Sequence, residues 1–418
     1  MTAAAAAAAP GDTNNNLTAG KHVPAALQLK TGQTFHGQSF GAARTVSGEA
    51  VFTTSLVGYP ESMTDPSYCG QILVFTQPLV GNYGVPGSAR DAFGLLKHFE
   101  SERVQVSGIV VGDYAERYSH WNAVESLASW CARNDVPAIT GVDTRALVHL
   151  LRDQGSTLGQ LAVGPSDVAM SSDEIAWADP NADNLVARVS VKEPVVYNPS
   201  GDVKIALLDC GVKQNIIRSL VKRGASVTVL PWNYDFNAVA QQYDGLFLSN
   251  GPGNPEKATQ AIEHLKVTLA TYQRPIFGIC MGNQLLGLAA GLPVKKLPFG
   301  NRGHNQPVVN TRNGRCLITS QNHGYALCDE NMPAGWHRYF VNANDGSNEG
   351  IWHESGLVSS VQFHPEAKGG PMDTEYLFGE FLATVRAEKL KRDGVHLWSG
   401  VEVAQRVAAK PAPIKATA

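Results

Sequence analysis

The sequence predicts an α/β protein in two folded parts. A mixed α+β, β-rich domain occupies residues 25–165, and an α/β domain with a doubly wound, mostly parallel sheet occupies residues 204–390. Three observations predict this. The first part holds short runs rich in Val, Phe and Thr, broken by Gly, Pro and Asn, which is strand-and-turn chemistry. From Lys204 onward, short apolar runs alternate with helix-length segments, as βαβ units require. The polar, glycine-rich loops of the second part follow predicted strands, where open α/β sheets carry their sites.

The elements follow in chain order. Residues 1–24 open on an Ala-rich run followed by Gly-Asp-Thr-Asn-Asn-Asn, and their composition predicts disorder. Strands are expected over Ala50–Leu56, Gln71–Gln77 and Gly108–Val111, and helices over Asn122–Asn134 and Arg145–Gln154. Residues 166–203 carry Ser, Asp, Pro and Asn clusters and read as a connector with a little structure of its own. Beyond it come strand Ile205–Leu208, helix Asn215–Arg223, and strands Ser226–Leu230 and Gly245–Leu248. Helix Thr259–Tyr272, strand Pro275–Ile279 and a helical run Gln284–Ala290 complete the pattern. Residues 391–418 are a tail that mixes charge with a Lys-Pro-Ala-Pro segment.

Composition narrows the function. A chain of 418 residues is long enough for two or three cores, and 43% hydrophobic with 17% charged residues is the balance of a soluble globular protein. A net charge of −3 argues against a nucleic-acid or anionic-membrane partner. No apolar run reaches the length of a membrane span. The six cysteines show neither paired nor metal-ligand spacing, so no metal site is expected. No Lys or Arg precedes Lys21, and Asp12 lies in the same stretch, so an import signal finds poor support. The expected compartment is the cytoplasm, with the mitochondrial matrix as the alternative.

The chemistry centres on Phe277-Gly278-Ile279-Cys280-Met281-Gly282-Asn283-Gln284. An apolar strand leads into Cys280 and a helix leads out, with glycine two residues to either side. This is the Gly-x-nucleophile-x-Gly elbow with sulfur for hydroxyl. Side chains at the flanking positions would collide with neighbouring elements, and the helix N-terminus favours a thiolate. Taken alone, Cys280 reads equally as a buried core thiol. Downstream, Val361-Gln362-Phe363-His364-Pro365-Glu366 reads as a short strand delivering His364 at its end, with Glu366 placed to orient the imidazole. Thiol, base and orienting carboxylate together point to nucleophilic catalysis. His323 is the next candidate base. A reactive thiol implies a reducing compartment. Cys69, Cys131, Cys210, Cys316 and Cys328 read as inert. The turn Asn250-Gly251-Pro252-Gly253 follows a strand and reads either as a plain turn or as an oxyanion site. In the second reading, the N–H groups of Gly253 and Met281 are the donors. No Lys-Ser/Thr follows this turn, so it lacks the mark of a phosphate loop.

Gly-Ile-Cys-Met-Gly-Asn-Gln together with Phe-His-Pro-Glu-Ala resembles the class I, triad-type glutamine amidotransferases. Leu248–Pro255, Ser320–Tyr325, Thr64–Tyr68 and Gly141–Arg145 extend the likeness. They resemble the small, glutamine-hydrolysing subunits of carbamoyl-phosphate synthases, most of all the separate arginine-pathway chains of fungi. The likeness spans about residues 25 to 390. It implies Cys280 as nucleophile on the carboxamide of L-glutamine, His364 as base and then acid, and Glu366 as its orienter. It also implies a glutamine pocket formed by Ser67, Gly251, Gly253, Met281, Gln284, Asn322, Gly324 and Tyr325. By the same resemblance the first domain contacts a large subunit in a heterodimer or larger complex. That partner binds ATP and Mg, and no cofactor belongs to this chain. Asn283 departs from the pattern, since many relatives carry His there. An unrelated hydrolase on the same elbow, the glutaminase of another ammonia-using synthetase and a catalytically silent regulatory subunit are the alternative readings.

Overall fold

The computed structural model describes residues 23–164 and 177–394. The expectations for the Ala-rich start up to residue 22 and for the tail past residue 394 lie outside the described residues, as does the part of the connector within 165–176. No helix among the described residues is long and apolar enough to cross a membrane.

The first domain is a closed barrel. Around it run strands Val23–Leu29, Thr157–Val163, Val46–Thr53, Gln71–Phe75, Gly108–Val110, Ala138–Thr140 and Thr34–Ser39, the last pairing back with the first. Alternation along the strands sorts the core into two clusters. Leu27, Phe52, Ile72 and Val74 pack with Leu147 and Leu151 of helix Thr144–Gln154. Val51, Leu73, Phe75 and Ile109 pack with Leu127 and Trp130 of helix Leu127–Arg133. That second helix is shorter than the expected Asn122–Asn134. The Ser126 side chain accepts from Ser129 N and starts the helix there, while Ala123–Glu125 forms a strand.

The second domain is a ten-stranded sheet. Ser226–Pro231, Lys204–Asp209, Gly245–Leu248, Ile276–Ile279 and Val358–Val361 run parallel as neighbours in that order. Ile205, Leu207, Val227, Val229, Phe247 and Phe277 face helices Gln214–Val221 and Tyr376–Arg392. Ala206, Leu208, Leu246, Leu248 and Ile276 face helices Thr259–Thr271 and Met281–Ala290. Past Val358–Val361 the sheet turns antiparallel through Asn348–His353, Trp336–Asn342, Val294–Asn310 and Cys316–Leu327. The mostly parallel expectation therefore holds for one half of the sheet. Between Gly291 and Leu357 no helix separates the strands, and strands joined by short turns must run antiparallel. Val195–Tyr197, inside the expected connector, adds an antiparallel strand on Ser226–Pro231.

The two domains are tied by polar contacts, some of them buried. Arg218 Nε donates to Asp91 Oδ2 at 2.7 Å, and its Nη2 donates to Leu96 O at 2.6 Å. Lys296 Nζ pairs with Glu49 Oε1 at 2.6 Å, and Thr54 N donates to Arg302 O at 3.2 Å. These contacts hold the first domain against the sheet edge that carries the loops described next.

Candidate active site

The elbow is built as its glycines require. Strand Ile276–Ile279 is buried throughout and ends at Cys280, whose φ of 53° and ψ of −103° leave it among the few non-glycine residues at positive φ. Such conformations cost about 1–3 kcal/mol and persist only where the surroundings impose them. A Cβ at Gly278 would lie 2.8 Å from the Gly282 carbonyl, and one at Gly282 would lie 2.4 Å from Leu248 O. Both glycines are thus demanded by close approach. Cys280 N donates to Val361 O at 2.8 Å, and Gly282 N donates to Ser249 O at 3.0 Å, which pins the turn between its two neighbouring strands. Cys280 itself is 2% exposed, with Sγ 3.6 Å from Asn322 O.

Strand Val358–Val361 stops three residues before His364, so the histidine sits in the loop past its end, anchored by His364 N donating to Ser320 O at 2.8 Å. The ring Nδ1 donates to Glu366 Oε1 at 2.7 Å. That leaves Nε2, which has no hydrogen-bond partner among the described residues, for the Cys280 side. Burial and the Lys213 charge push the imidazolium down. Glu366 and the neighbouring Cys280 sulfur outweigh them and raise it to about 10. Glu366 is pulled the other way. Burial pushes it up, but Lys213 and His364 hold it at about 2. Glu366 therefore stands as a carboxylate against the His364 imidazolium.

Sequence reasoning missed Lys213. It stands at the N-terminal edge of helix Gln214–Val221 and is buried, with Nζ 2.8 Å from Glu366 Oε1 and 3.9 Å from Asp65 Oδ2. Burial disfavours its charge, and Glu366, Asp65 and Glu100 overcome that, so the ammonium is held well above its usual range. Its position in the loop after parallel strand Lys204–Asp209 was a usable signal, because sites gather at such strand ends.

Asp65 was also missed, although its motif was noticed. The Asp65-Pro66-Ser67 turn of the first domain reaches into the second. Asp65 Oδ2 accepts from Asn322 Nδ2 at 3.0 Å, and Ser67 Oγ accepts from Asn250 Nδ2 at 2.9 Å. Asn250 Oδ1 in turn accepts from Lys213 N at 3.1 Å. One first-domain turn therefore touches the glycine loop, the Asn322 strand and the lysine behind the triad.

A cavity opens on the Cys280 side. Ser67, Gly251, Gly253, Gln284, Asn322, Gly324 and Tyr325 line it together with Cys280, as do Glu49, Arg302 and His323. Met281 does not line it. Its side chain packs in the apolar cluster, so only its backbone N–H is available. Gly253 has φ of 81°, and a Cβ at Gly251 would lie 2.1 Å from Cys210 O, so both positions require glycine. Neither the Gly253 nor the Met281 N–H donates to a protein acceptor among the described residues. A second cavity is lined by His364, Lys213, Asp65, Glu100 and Glu61, and Asn322 borders both.

His323 does not stand in as a base. Its Nδ1 bonds Tyr325 O at 2.9 Å and its Nε2 lies 3.1 Å from Gln321 Oε1. Burial pushes it down to about 4, so it is neutral and committed to its own strand. Cys131 and Cys210 are fully buried, and burial drives both thiols up, which makes them poor nucleophiles.

Comparison with known proteins adds independent findings. Residues 206–384 match the glutamine amidotransferase class-I family, and residues 27–161 match the carbamoyl-phosphate synthase small chain, CPSase domain. The carbamoyl phosphate synthase arginine-specific small chain of Chaetomium globosum is 53% identical over 414 residues, covering 97% of this chain and 89% of that one. The corresponding chain of Phaeosphaeria nodorum is 58% identical over 366 residues, covering 87% and 76%. That of Aspergillus clavatus is 56% identical over 376 residues, covering 90% and 82%.

Proposed function

The chain belongs to the carbamoyl phosphate synthase small-chain family, and from that premise we propose that its Cys280–His364–Glu366 centre hydrolyses L-glutamine and hands the ammonia to a large, ATP-using subunit for carbamoyl phosphate synthesis in arginine formation. The observation that carries this reading is the buried row Cys280, His364, Glu366 and Lys213 beside a cavity lined by the expected glutamine-binding residues.

The chemistry follows from the geometry. The Cys280 thiolate attacks the carboxamide carbon, and the N–H groups of Gly253 and Met281 receive the developing oxyanion. His364 gives its Nε2 proton to the departing ammonia. A water then attacks the γ-glutamyl thioester, with the imidazole as base, and glutamate leaves. Glu366, locked by Lys213, keeps the ring oriented throughout. We assign the departure of ammonia to the second cavity, which His364 lines.

The first domain presents Leu56, Val57, Trp121 and Val124 exposed, an apolar surface suited to a subunit partner. ATP and Mg are assigned to that partner, in a heterodimer or a larger complex. The thiolate calls for a reducing compartment, for which we take the cytoplasm, with the mitochondrial matrix as the alternative. Cys280→Ala tests the reading. Glutamine-dependent carbamoyl phosphate formation by the complex should vanish and ammonia-dependent formation should remain. Glutaminase activity near wild type in this variant would sink the assignment.

A further inference from the structure

Behind the cavity lies a row of buried side-chain amides that the triad does not use. Asn283, Gln362 and Ser360 are 0% exposed and Gln284 is 3% exposed. Their orientations follow from one end. The Tyr325 carbonyl can only accept, so the Gln284 nitrogen must face it, and Nε2 donates there at 2.9 Å. The other N–H of Gln284 donates to Gln362 Oε1 at 3.2 Å. That oxygen also accepts from Asn283 Nδ2 at 3.1 Å, and Ser360 Oγ donates to Asn283 Oδ1 at 2.8 Å. The Gln362 nitrogen has no partner among the described residues, so the two donors alone hold that amide in place.

The consequence reaches the cavity that Gln284 lines. With both N–H groups spent behind it, Gln284 has only Oε1 left for a ligand, and Oε1 is purely an acceptor. We propose that Asn283 and Gln362 are positioning residues whose hydrogen bonds lock the Gln284 amide so that it recognises the α-ammonium of the substrate. This rests on the glutaminase reading above.

The test compares steady-state hydrolysis of L-glutamine and of 4-carbamoylbutanoate, its des-amino analogue, by the full chain. Gln362→Met and Asn283→Leu remove links of similar size without adding charge. In each, KM for L-glutamine should rise about five- to tenfold, the range of one hydrogen bond, with kcat within about twofold. The preference for L-glutamine over the analogue should fall by the same factor. Asn283→His should retain both values. Equal losses on the two compounds would mark a merely structural role and overturn the relay, and so would an unchanged preference. If one of the two variants fails to fold, the other carries the same readout. A wild-type chain that hydrolyses neither compound would instead overturn the glutaminase reading, and the relay with it.

Discussion

Gly282→Ala separates the elbow's geometry from the stability of the fold. The new Cβ would lie 2.4 Å from Leu248 O, 2.7 Å from Leu248 Cβ and 2.8 Å from its carbonyl carbon. Two of these atoms are backbone of the adjacent parallel strand, so rotamer changes give no relief. Reaching an ordinary contact of about 3.4 Å requires the helix start to move by about 1 Å. Overpacking of this kind costs about 1–3 kcal/mol, while alanine in a helix gains about 1 kcal/mol over glycine. Net destabilisation should therefore lie between about zero and 2 kcal/mol. Activity should respond differently, because the shift carries Cys280 and the Met281 N–H with it. A misplacement of about 1 Å at a reacting centre costs on the order of 10²-fold. The assay is glutamine hydrolysis beside urea unfolding. Gly287→Ala in the same helix is the control, since the atoms nearest its Cβ belong to the Leu327 side chain, with Cδ2 at 2.3 Å, and not to backbone. Turnover within about threefold of wild type in Gly282→Ala would refute the idea that close approach at this glycine sets the nucleophile.

The other expectations concern the triad and its supports. His364→Asn should lower turnover by at least ~10²-fold, with a smaller loss for Glu366→Gln, and full turnover in the former would move the base elsewhere. Lys213→Met should cost about 3 kcal/mol at about pH 7, because it leaves Glu366 with His364 as its remaining partner. Glu366 is depressed to about 2, so its contribution is present above its ordinary value of 4.5 and is lost as pH falls through about 2. The wild-type advantage over Lys213→Met should shrink toward about pH 3 in urea titrations, and a pH-independent gap would contradict the pairing. His364 is raised from 6.5 to about 10, so its contribution is present below 6.5 and is lost as pH rises through about 10. The isolated chain should hydrolyse glutamine slowly and the large subunit should accelerate it, with Asp65→Asn weakening the acceleration. Equal acceleration in wild type and variant, with complex formation demonstrated, would remove the Asp65 turn from the coupling.

Much of the site is written in short stretches of chain. The strand before Cys280, the glycines around it and the His-Pro-Glu beyond a strand are local patterns, because sterics and backbone hydrogen bonding at an elbow act over a few residues. The alternation of strands and helices after Lys204 is local in the same sense, and it marked the parallel half of the sheet. Lys213 and Glu366 are distant in sequence, as are Asp65 and Asn322. No periodicity links such pairs, and they meet only because parallel strand ends converge and the first domain docks on them. Closure of the barrel and the antiparallel extension of the sheet were equally out of reach, since strand pairing depends on partners far along the chain. The orientation of Gln284 required the same knowledge. An amide in the sequence is both donor and acceptor, and only the neighbours Tyr325, Gln362 and Asn283 decide which face meets the substrate.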